Sequence, residues 1–402
     1  MSAAQAAAPG PLDLSHEGFV ARARALDPTL RQRAPQTAAA RRLLDATIQD
    51  FQDAGFFRML QPARYGGFEL DPQTFFAVQI AIAEACPSSA WVLGVVAVHA
   101  WQLALFDDKA QQEVWGDDTS TLISSSYAPV GKVTRVDGGF RLSGHWSFSS
   151  GSDHCQWAFL GAFCPPAPGA RGPDMRTFLV PRSDYRIDDV WNVSGLQGTG
   201  SNDVIVEDVF VPEHRTHKMG DGFKRVSPGN AVNTSPLFKL PFGQVFVRAV
   251  STTAIGIAKG MLEAYRSVAA DKVATSDQSK VAEDPTSQVL LAQCAATIDE
   301  IELVLYRNFD EMMALARAGE DMSIDQRVAW RYQSARVVER SREVVDALFT
   351  VSGGRALWVD SPLNRYFQDM HAARAHYANN PEKPGRNFGR VALGMRTQDY
   401  FI

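Results

Sequence analysis

The sequence predicts an α+β protein in which a helical domain, a β-domain and a second helical domain follow one another along the chain. Apolar residues recur at spacings of three, four and seven in the last third of the chain, as at Ile298, Ile301, Leu305 and Met312, and this spacing is typical of a buried helix face. Residues 119–215 instead show short alternating runs separated by turn signals, which is typical of strands. The 402 residues are enough for two or three domains.

We expect residues 1–12 to form a disordered arm and residues 13–118 to form the N-terminal α-helical domain. Asp71 precedes Pro72, as an N-cap residue precedes a proline at the first helical position. The helix that follows, over 73–85, is apolar nearly all round, so it should be buried. A second apolar helix is predicted over 89–106.

Residues 119–215 form the predicted β-domain. The turn at Asp137-Gly138-Gly139 joins strands 132–136 and 140–143 as in a β-hairpin, and 177–181 and 204–212 are further strands. Residues 216–402 should form a linker loop and a C-terminal helical bundle. In this bundle Ser323 and Gln326 form a capping box, and Ser361-Pro362 begins another helix.

Composition and charge argue against several classes of function. The formal net charge is −5 and no Lys/Arg cluster is evident, which argues against nucleic acid or an anionic membrane as the main partner. The longest apolar run, 90–101, is too short to span a bilayer, and the N-terminus does not resemble a signal peptide. The spacing of the four cysteines predicts reduced, mostly buried thiols, no metal site and a cytoplasmic protein.

The most informative motif is the run 144–151, which alternates aromatic and small hydroxyl residues and ends in Ser-Ser-Gly. An aromatic ring can lie on a flat heteroaromatic cofactor, and a hydroxyl two residues further along the same strand face can hydrogen-bond the cofactor's edge. Phe148 and Ser150 take these places, and an ordinary half-buried strand is the alternative. The glycines of 195–201 precede a strand, so we interpret them as a tight turn and not as a nucleotide-binding motif.

Together with the order of the domains and the run 207–212, this motif resembles the acyl-CoA dehydrogenase fold over essentially the whole chain. The resemblance implies an N-terminal helical domain, a central β-barrel or sandwich domain and a C-terminal four-helix bundle. The dehydrogenases carry a catalytic carboxylate near the C-terminus, but the matching position here is Tyr377 or an immediate neighbour. No carboxylate lies between Asp369 and Glu382, and a phenol with a pKa of about 10 is a poor base at neutral pH.

The C-terminal segment is instead similar to the oxygenase components of two-component flavin-dependent aromatic hydroxylases. These include p-hydroxyphenylacetate hydroxylase and the hydroxylases of secosteroid phenols, and the segments that resemble the latter are 55–62, 99–106, 123–129 and 190–196. The resemblance implies a monooxygenase that uses O2 as co-substrate and inserts one oxygen atom ortho to a phenolic hydroxyl through a C4a-hydroperoxyflavin. A separate NAD(P)H-dependent flavin reductase would supply the reduced flavin. The pyrophosphate-binding element of the dehydrogenases is not evident after Arg266, which favours reduced FMN (FMNH2), with reduced FAD (FADH2) as the alternative.

The resemblance also implies the residues that do the chemistry. Ser150 would hydrogen-bond flavin N5, beside Phe148. His376 would accept the phenolic proton, because an imidazole can do so near neutral pH. Arg374 would stabilise a phenolate, and a solvent-facing helical arginine is the alternative.

Other matching positions concern the substrate and the cofactor. Trp91 matches a flavin-site tryptophan, and His99, eight residues later, matches a histidine beside the substrate ring; a core histidine is the alternative. Ser125 matches a serine that helps bind the substrate hydroxyl, although it is one of three consecutive serines. The turn Ser352-Gly353-Gly354 resembles the fold's glycine turn at the flavin phosphate, often of a neighbouring subunit; a helix C-cap is the alternative.

Three functional hypotheses follow. The first is the phenol hydroxylase, and the apolar segment 233–242 favours a bulky apolar phenol as its substrate. The second is a sulfur- or nitrogen-oxidising monooxygenase of the same fold. The third is an acyl-CoA dehydrogenase or a non-catalytic relative. A homotetramer is expected, because the C-terminal helices carry more apolar positions than one bundle face needs.

Overall fold

The computed structural model describes residues 12–165, 173–273 and 278–402. The predicted arm over 1–12 lies outside these ranges except for its last residue. Within them, six α-helices precede the strands and seven follow them, which confirms the predicted order of helical, β and helical zones.

The first helical zone is built around two apolar helices that pack on each other and on the C-terminal helices. Its helices are α1 (His16–Ala25), α2 (Asp27–Ala40), α3 (Asp45–Asp53), α4 (Pro72–Ala85), α5 (Pro87–Leu103) and α6 (Asp108–Trp115). Helices α4 and α5 are buried over nearly their whole length, as their composition predicts. Asp71 occupies the predicted N-cap position of α4, but its side chain makes no capping hydrogen bond. Its carboxylate instead pairs with Arg317, 2.5 Å away, in the C-terminal zone.

The central zone is a seven-stranded sheet with the order β5-β6-β2-β1-β3-β4-β7. Its strands are β1 (Ile123–Val136), β2 (Gly139–Ser149), β3 (Trp157–Cys164), β4 (Asp174–Pro181), β5 (Arg186–Asp188), β6 (Asn202–Pro212) and β7 (Thr216–Lys218). Strands β1 and β3 are parallel, and the other neighbouring pairs are antiparallel. Val136 lies opposite Gly139 across the β1–β2 turn, so the predicted hairpin is confirmed.

The C-terminal zone is a helical bundle. Its helices are α7 (Met219–Lys224), α8 (Phe242–Ser251), α9 (Thr253–Asp271), α10 (Pro285–Ala318), α11 (Ile324–Ser352), α12 (Pro362–Ala375) and α13 (Glu382–Ala392). The capping box of Ser323 and Gln326 is present at the start of α11, and the predicted apolar face of α10 is buried. Helices α8 and α9 together are long and apolar enough to cross a membrane, but 89% of that window is buried inside the protein, which is the pattern of a core helix.

A single apolar core joins the two helical zones, and the loop before β6 connects them to the sheet. In this loop the backbone N–H of Leu196 donates to Asp369 Oδ1 on α12 (2.6 Å), and that of Gly198 donates to Ser88 Oγ on α5 (3.2 Å). This loop therefore lies between helices from both ends of the chain. All four cysteines are buried and unpaired, as predicted.

Candidate active site

Strand β2 ends in an irregularity that separates Phe148 from Ser150. The pairing of β2 with β6 shifts between Trp146 and Ser149, and Phe148 has a φ of +67°, which is strained for a bulky residue. Phe148 is 70% exposed and its ring lies beside Trp191, whereas Ser150 is buried. The prediction that Phe148 and Ser150 share one strand face is therefore wrong, because the bulge turns the ring outward and the serine toward α5.

Three of the predicted residues, from distant parts of the chain, meet beside this turn. Trp91 Nε1 on α5 donates a hydrogen bond to Ser150 Oγ at 3.2 Å. The rings of Trp91 and His376 meet in an edge-to-face contact, with 5.6 Å between ring centroids. Trp91 and Ser150 are both buried. The structure thus brings Trp91, Ser150 and His376 into one cluster.

A chain of hydroxyl groups continues from Ser150 into the loop before β6. Ser150 Oγ lies 2.7 Å from Ser201 Oγ, which lies 2.7 Å from Thr199 Oγ1. Thr199 Oγ1 donates to the Leu196 carbonyl at 3.0 Å. Ser201 and Thr199 were not among the predicted site residues; the signal in the sequence is a pair of hydroxyl residues inside the glycine-rich turn.

His376 follows α12 and is held in one protonation state by the backbone. Its Nδ1 accepts a hydrogen bond from the Ala378 N–H at 3.1 Å, so the neutral ring carries its proton on Nε2. Burial, followed by the positive charge of Arg331, lowers the pKa of His376 to about 4. In this arrangement His376 offers a proton donor at Nε2. The base role predicted for His376 does not fit it.

Two buried arginines lie near each other, and one of them, Arg331, acts on His376. Arg331 Nη2 donates to the Ala378 carbonyl at 2.8 Å. Arg248 on α8 is 2% exposed, and its two terminal nitrogens have no acceptor among the described residues. Burial, and then the charge of Arg331, lowers the pKa of Arg248 to about 9. Sequence reasoning missed both arginines, because burial of a helical arginine depends on the partner helices and not on local pattern.

His99 shows the opposite arrangement. Its Nδ1 lies 2.6 Å from the Ile123 carbonyl, which can only accept, so Nδ1 carries the proton and Nε2 carries a lone pair. His99 is fully buried, and Nε2 has no hydrogen-bond partner within the described ranges. Burial lowers the pKa of His99 to about 4. The ring packs edge-on against Phe159 and Tyr127.

Ser125 is the serine that shares the His99 side of the sheet. It lies opposite Phe159 in the β1–β3 pairing, and paired residues project from the same face. Phe159 contacts His99, whereas Ser124 and Ser126 alternate to the other face. This register supports Ser125 among the three serines.

Two predicted elements do not join the cluster. Arg374 forms an ion pair with Glu339 on α11, so its guanidinium is already engaged by a carboxylate; the phenolate-stabilising role does not fit this contact. The turn Ser352-Gly353-Gly354 ends α11 about 30 Å along the helix from Arg331, at 1.5 Å per residue. Gly353 has a φ of +71° and is the C-cap residue of α11. No group of three or more His, Cys, Asp or Glu side chains in the described part of the chain could hold a metal ion.

Comparisons with known proteins agree in both sequence and structure. Residues 16–120 match the acyl-CoA dehydrogenase N-terminal domain, and residues 249–381 match the acyl-CoA dehydrogenase C-terminal domain. The oxygenase subunit HsaA of a flavin-dependent monooxygenase from Rhodococcus jostii strain RHA1 is 42% identical over 94% of this chain and 99% of its own length. The oxygenase component of an FADH2-dependent resorcinol hydroxylase from Rhizobium is 33% identical over 96% of each chain. The crystal structure of a 3-HSA hydroxylase from Rhodococcus sp. RHA1 superposes with a TM-score of 0.92, at 40% identity, over 96% of this chain and 100% of that one.

Proposed function

We propose residue roles and a substrate class for this chain on the premise that it belongs to the oxygenase components of flavin-dependent monooxygenases with the acyl-CoA dehydrogenase fold. The chain is accordingly a monooxygenase that uses reduced flavin and O2 to add one oxygen atom to a phenolic substrate. The name "oxygenase subunit" of its relatives implies a separate reductase, and we propose that this partner is NAD(P)H-dependent. The observation that carries the residue assignment is the unpartnered lone pair of the buried His99.

The residues beside β2 fit a reduced flavin. The Ser150 hydroxyl accepts one hydrogen bond from Trp91 and retains a second lone pair, and the exposed Phe148 ring stands on the same turn. When bound, the flavin supplies the activation of O2. Trp91 and Ser150 would hold its N5 edge. We propose FMN as the flavin, and the name of the resorcinol hydroxylase makes FAD the alternative to test.

His99 accepts the phenolic proton in this proposal. The Ile123 carbonyl holds Nδ1–H and so fixes the ring with Nε2 available. Because burial keeps the ring neutral, the acceptor is present throughout the neutral pH range. Proton transfer from a phenol would create an imidazolium beside a phenolate, and their attraction offsets part of the cost of charging a buried ring. Ser125, on the same face, is placed as the second partner of the phenolic oxygen.

His376 acts as a hydrogen-bond donor in this proposal. Its Nε2–H is fixed by the Ala378 N–H on the other nitrogen. The buried charge of Arg331 beside it favours an anion or a partly negative oxygen at this end of the site. His376 would therefore hold an oxygen atom of the substrate or of the reacting flavin edge, while His99 takes the proton.

We propose a bulky apolar phenol, of the secosteroid type, as the substrate. The relatives named as HsaA and 3-HSA hydroxylase and the apolar loop before α8 support it. Two 3₁₀ turns occupy this loop, and Leu237 and Phe238 are buried in it. We further propose a cytoplasmic homotetramer. The exposed patch of Leu357, Trp358 and Val359 next to the glycine turn would be covered by a second copy of the chain.

The test is a single-turnover reaction. The protein is mixed anaerobically with photoreduced FMN, then with air and a panel of phenols, and hydroxylated product is measured by mass. We expect an ortho-hydroxylated product from a secosteroid phenol and little from small acidic phenols. Product only from a thioether or an amine would favour the sulfur- or nitrogen-oxidising alternative, and no product together with no flavin binding would favour a non-catalytic protein.

A further inference from the structure

The hydroxyl chain between Ser150 and the loop before β6 has a fixed direction. The Leu196 carbonyl can only accept, so the single proton of Thr199 is committed to it. Thr199 can then only accept from Ser201, and Ser201 in turn can only accept from Ser150. The Ser150 proton therefore points toward Ser201.

This direction decides what Ser150 can offer to a ligand. A hydroxyl has one proton and two lone pairs. Ser150 donates its proton to Ser201 and accepts a hydrogen bond from Trp91 Nε1 with one lone pair. One lone pair of the Ser150 oxygen remains for a ligand. Ser150 is thus an acceptor and not a donor.

We infer that Ser201 and Thr199 are positioning residues that make Ser150 select the reduced flavin. N5 of a reduced flavin carries a hydrogen and donates, whereas N5 of an oxidised flavin is an acceptor and needs a donor. A Ser150 that can only accept therefore forms a hydrogen bond with N5–H of the reduced flavin, but it has no proton to donate to N5 of the oxidised flavin. This inference rests on the proposed function, since it assumes that a flavin binds at this turn.

The anchor of the chain is rigid enough to hold this direction. The Leu196 carbonyl accepts from Thr199 and from Trp191 Nε1 (3.1 Å). The Leu196 N–H is clamped by the buried Asp369 carboxylate. Thr199 and Ser201 are themselves buried, so water does not compete freely for their hydroxyl groups. Reversing the direction would leave the carbonyl without the Thr199 proton.

The test is the ratio of the dissociation constants of oxidised and reduced FMN, measured by anaerobic titration of the whole chain. We expect the wild type to bind reduced FMN more tightly. Ser201→Ala frees the Ser150 proton to turn toward N5, so the ratio should fall about tenfold, which is about 30 mV in the potential of the bound flavin. Thr199→Val should act in the same direction, because Ser201 then loses its acceptor and can donate back to Ser150.

Three further variants complete the test. Ser201→Thr keeps a hydroxyl and should restore the wild-type ratio. Ser149→Ala removes a neighbouring buried hydroxyl that has no partner among the described residues and should leave the ratio unchanged. Ser150→Ala should weaken the binding of reduced FMN without strengthening the binding of oxidised FMN.

The outcomes separate the inference from the proposed function. If Ser201→Ala and Thr199→Val weaken the binding of oxidised and reduced FMN equally, the hydroxyl chain is only structural and the inference is wrong. If Ser201→Ala does not fold, the nearly isosteric Thr199→Val decides alone. If the folded wild type binds neither form of flavin, the proposed function fails as well, which is a different result from an unchanged ratio.

Discussion

His99 and His376 lie in two regions of the molecule that stabilise opposite tautomers of the imidazole ring. His99 lies in the helix α5, against β1, among aromatic rings. His376 lies between α12 and α13 in the C-terminal zone, near Arg331. Both have a pKa of about 4, yet a carbonyl fixes a proton on Nδ1 of His99 and a backbone N–H removes it from Nδ1 of His376.

The comparison teaches that the backbone partner decides what a neutral histidine can do. A lowered pKa by itself only says that the ring is neutral at pH 7. With the proton on Nδ1, the free nitrogen of His99 accepts; with the proton on Nε2, the free nitrogen of His376 donates. The same residue type can therefore be an acceptor in one region and a donor in the other at the same pH, with the roles set by environment.

The variant with the largest expected effect is His99→Asn, which tests the acceptor role of His99. We expect the hydroxylation rate in single turnover to fall by about 100- to 10,000-fold, the usual contribution of a positioned base, with flavin binding unchanged. High pH should partly restore the rate, because the phenol then ionises in solution. His217→Asn is the matched control, since His217 is also buried with a pKa of about 4 but pairs with Ser227. Equal loss in both variants would mean a packing defect.

His376→Ala should cost less and should respond differently to pH. Loss of a donor to a charged or partly charged oxygen is worth about 1.5–3 kcal/mol, or about 10- to 150-fold in rate. High pH should not restore this rate, because no base has been lost. His376→Gln, whose amide can still donate, should retain part of the activity. A His376→Ala defect that high pH rescues, together with a His99→Asn variant of normal rate, would return the base role to His376.

Acid stability provides a test of His99 that does not depend on catalysis. Below about pH 6.5 the unfolded chain protonates its histidines, whereas folded His99 stays neutral down to about pH 4. The unfolded state binds more protons in this window, so stability falls as pH falls, by about 1.4 kcal/mol per pH unit for one such histidine. The free energy of unfolding of His99→Asn, measured by denaturant titration between pH 4.5 and 6.5, should show a shallower slope. An unchanged slope would mean that folded His99 protonates normally.

The sequence alone predicts the fold, and which residues belong to the site, better than it predicts the chemical role of each of those residues. Helical and strand periodicities place α4, α10 and the β1–β2 hairpin, because they depend on residues close in the chain. The outward turn of Phe148 depends on a bulge set by pairing with β6. The pairing of Arg374 with Glu339 depends on how α12 packs on α11. These contacts are tertiary and leave no local pattern.

The tautomers of His99 and His376 could not be predicted from the sequence at all. Both histidines are read from the sequence as site residues, but their partners are backbone groups of Ile123 and Ala378. Every residue has such groups, so the identity of the neighbours carries no information about them. The exchange of roles between His99 and His376 could only come from the three-dimensional arrangement.

The smallest expected effect concerns the difference in charge around the two rings. The pKa of His99 is lowered by burial and raised slightly by its bond to the Ile123 carbonyl, with no nearby charge involved. The pKa of His376 is lowered by burial and also by Arg331. Arg331→Met should therefore raise the pKa of His376 and leave that of His99 unchanged, as followed by NMR titration of the ring protons. Because Arg331 also holds the Ala378 carbonyl, Arg248→Met is the control: it removes the buried charge near Arg331, which is not a cause of the lowered His376 pKa, and should leave both histidine pKa values in place. If both pKa values rise together in Arg331→Met, the bundle has loosened as a whole and the charge argument fails; if only His376 moves, the arginine is what separates the two environments.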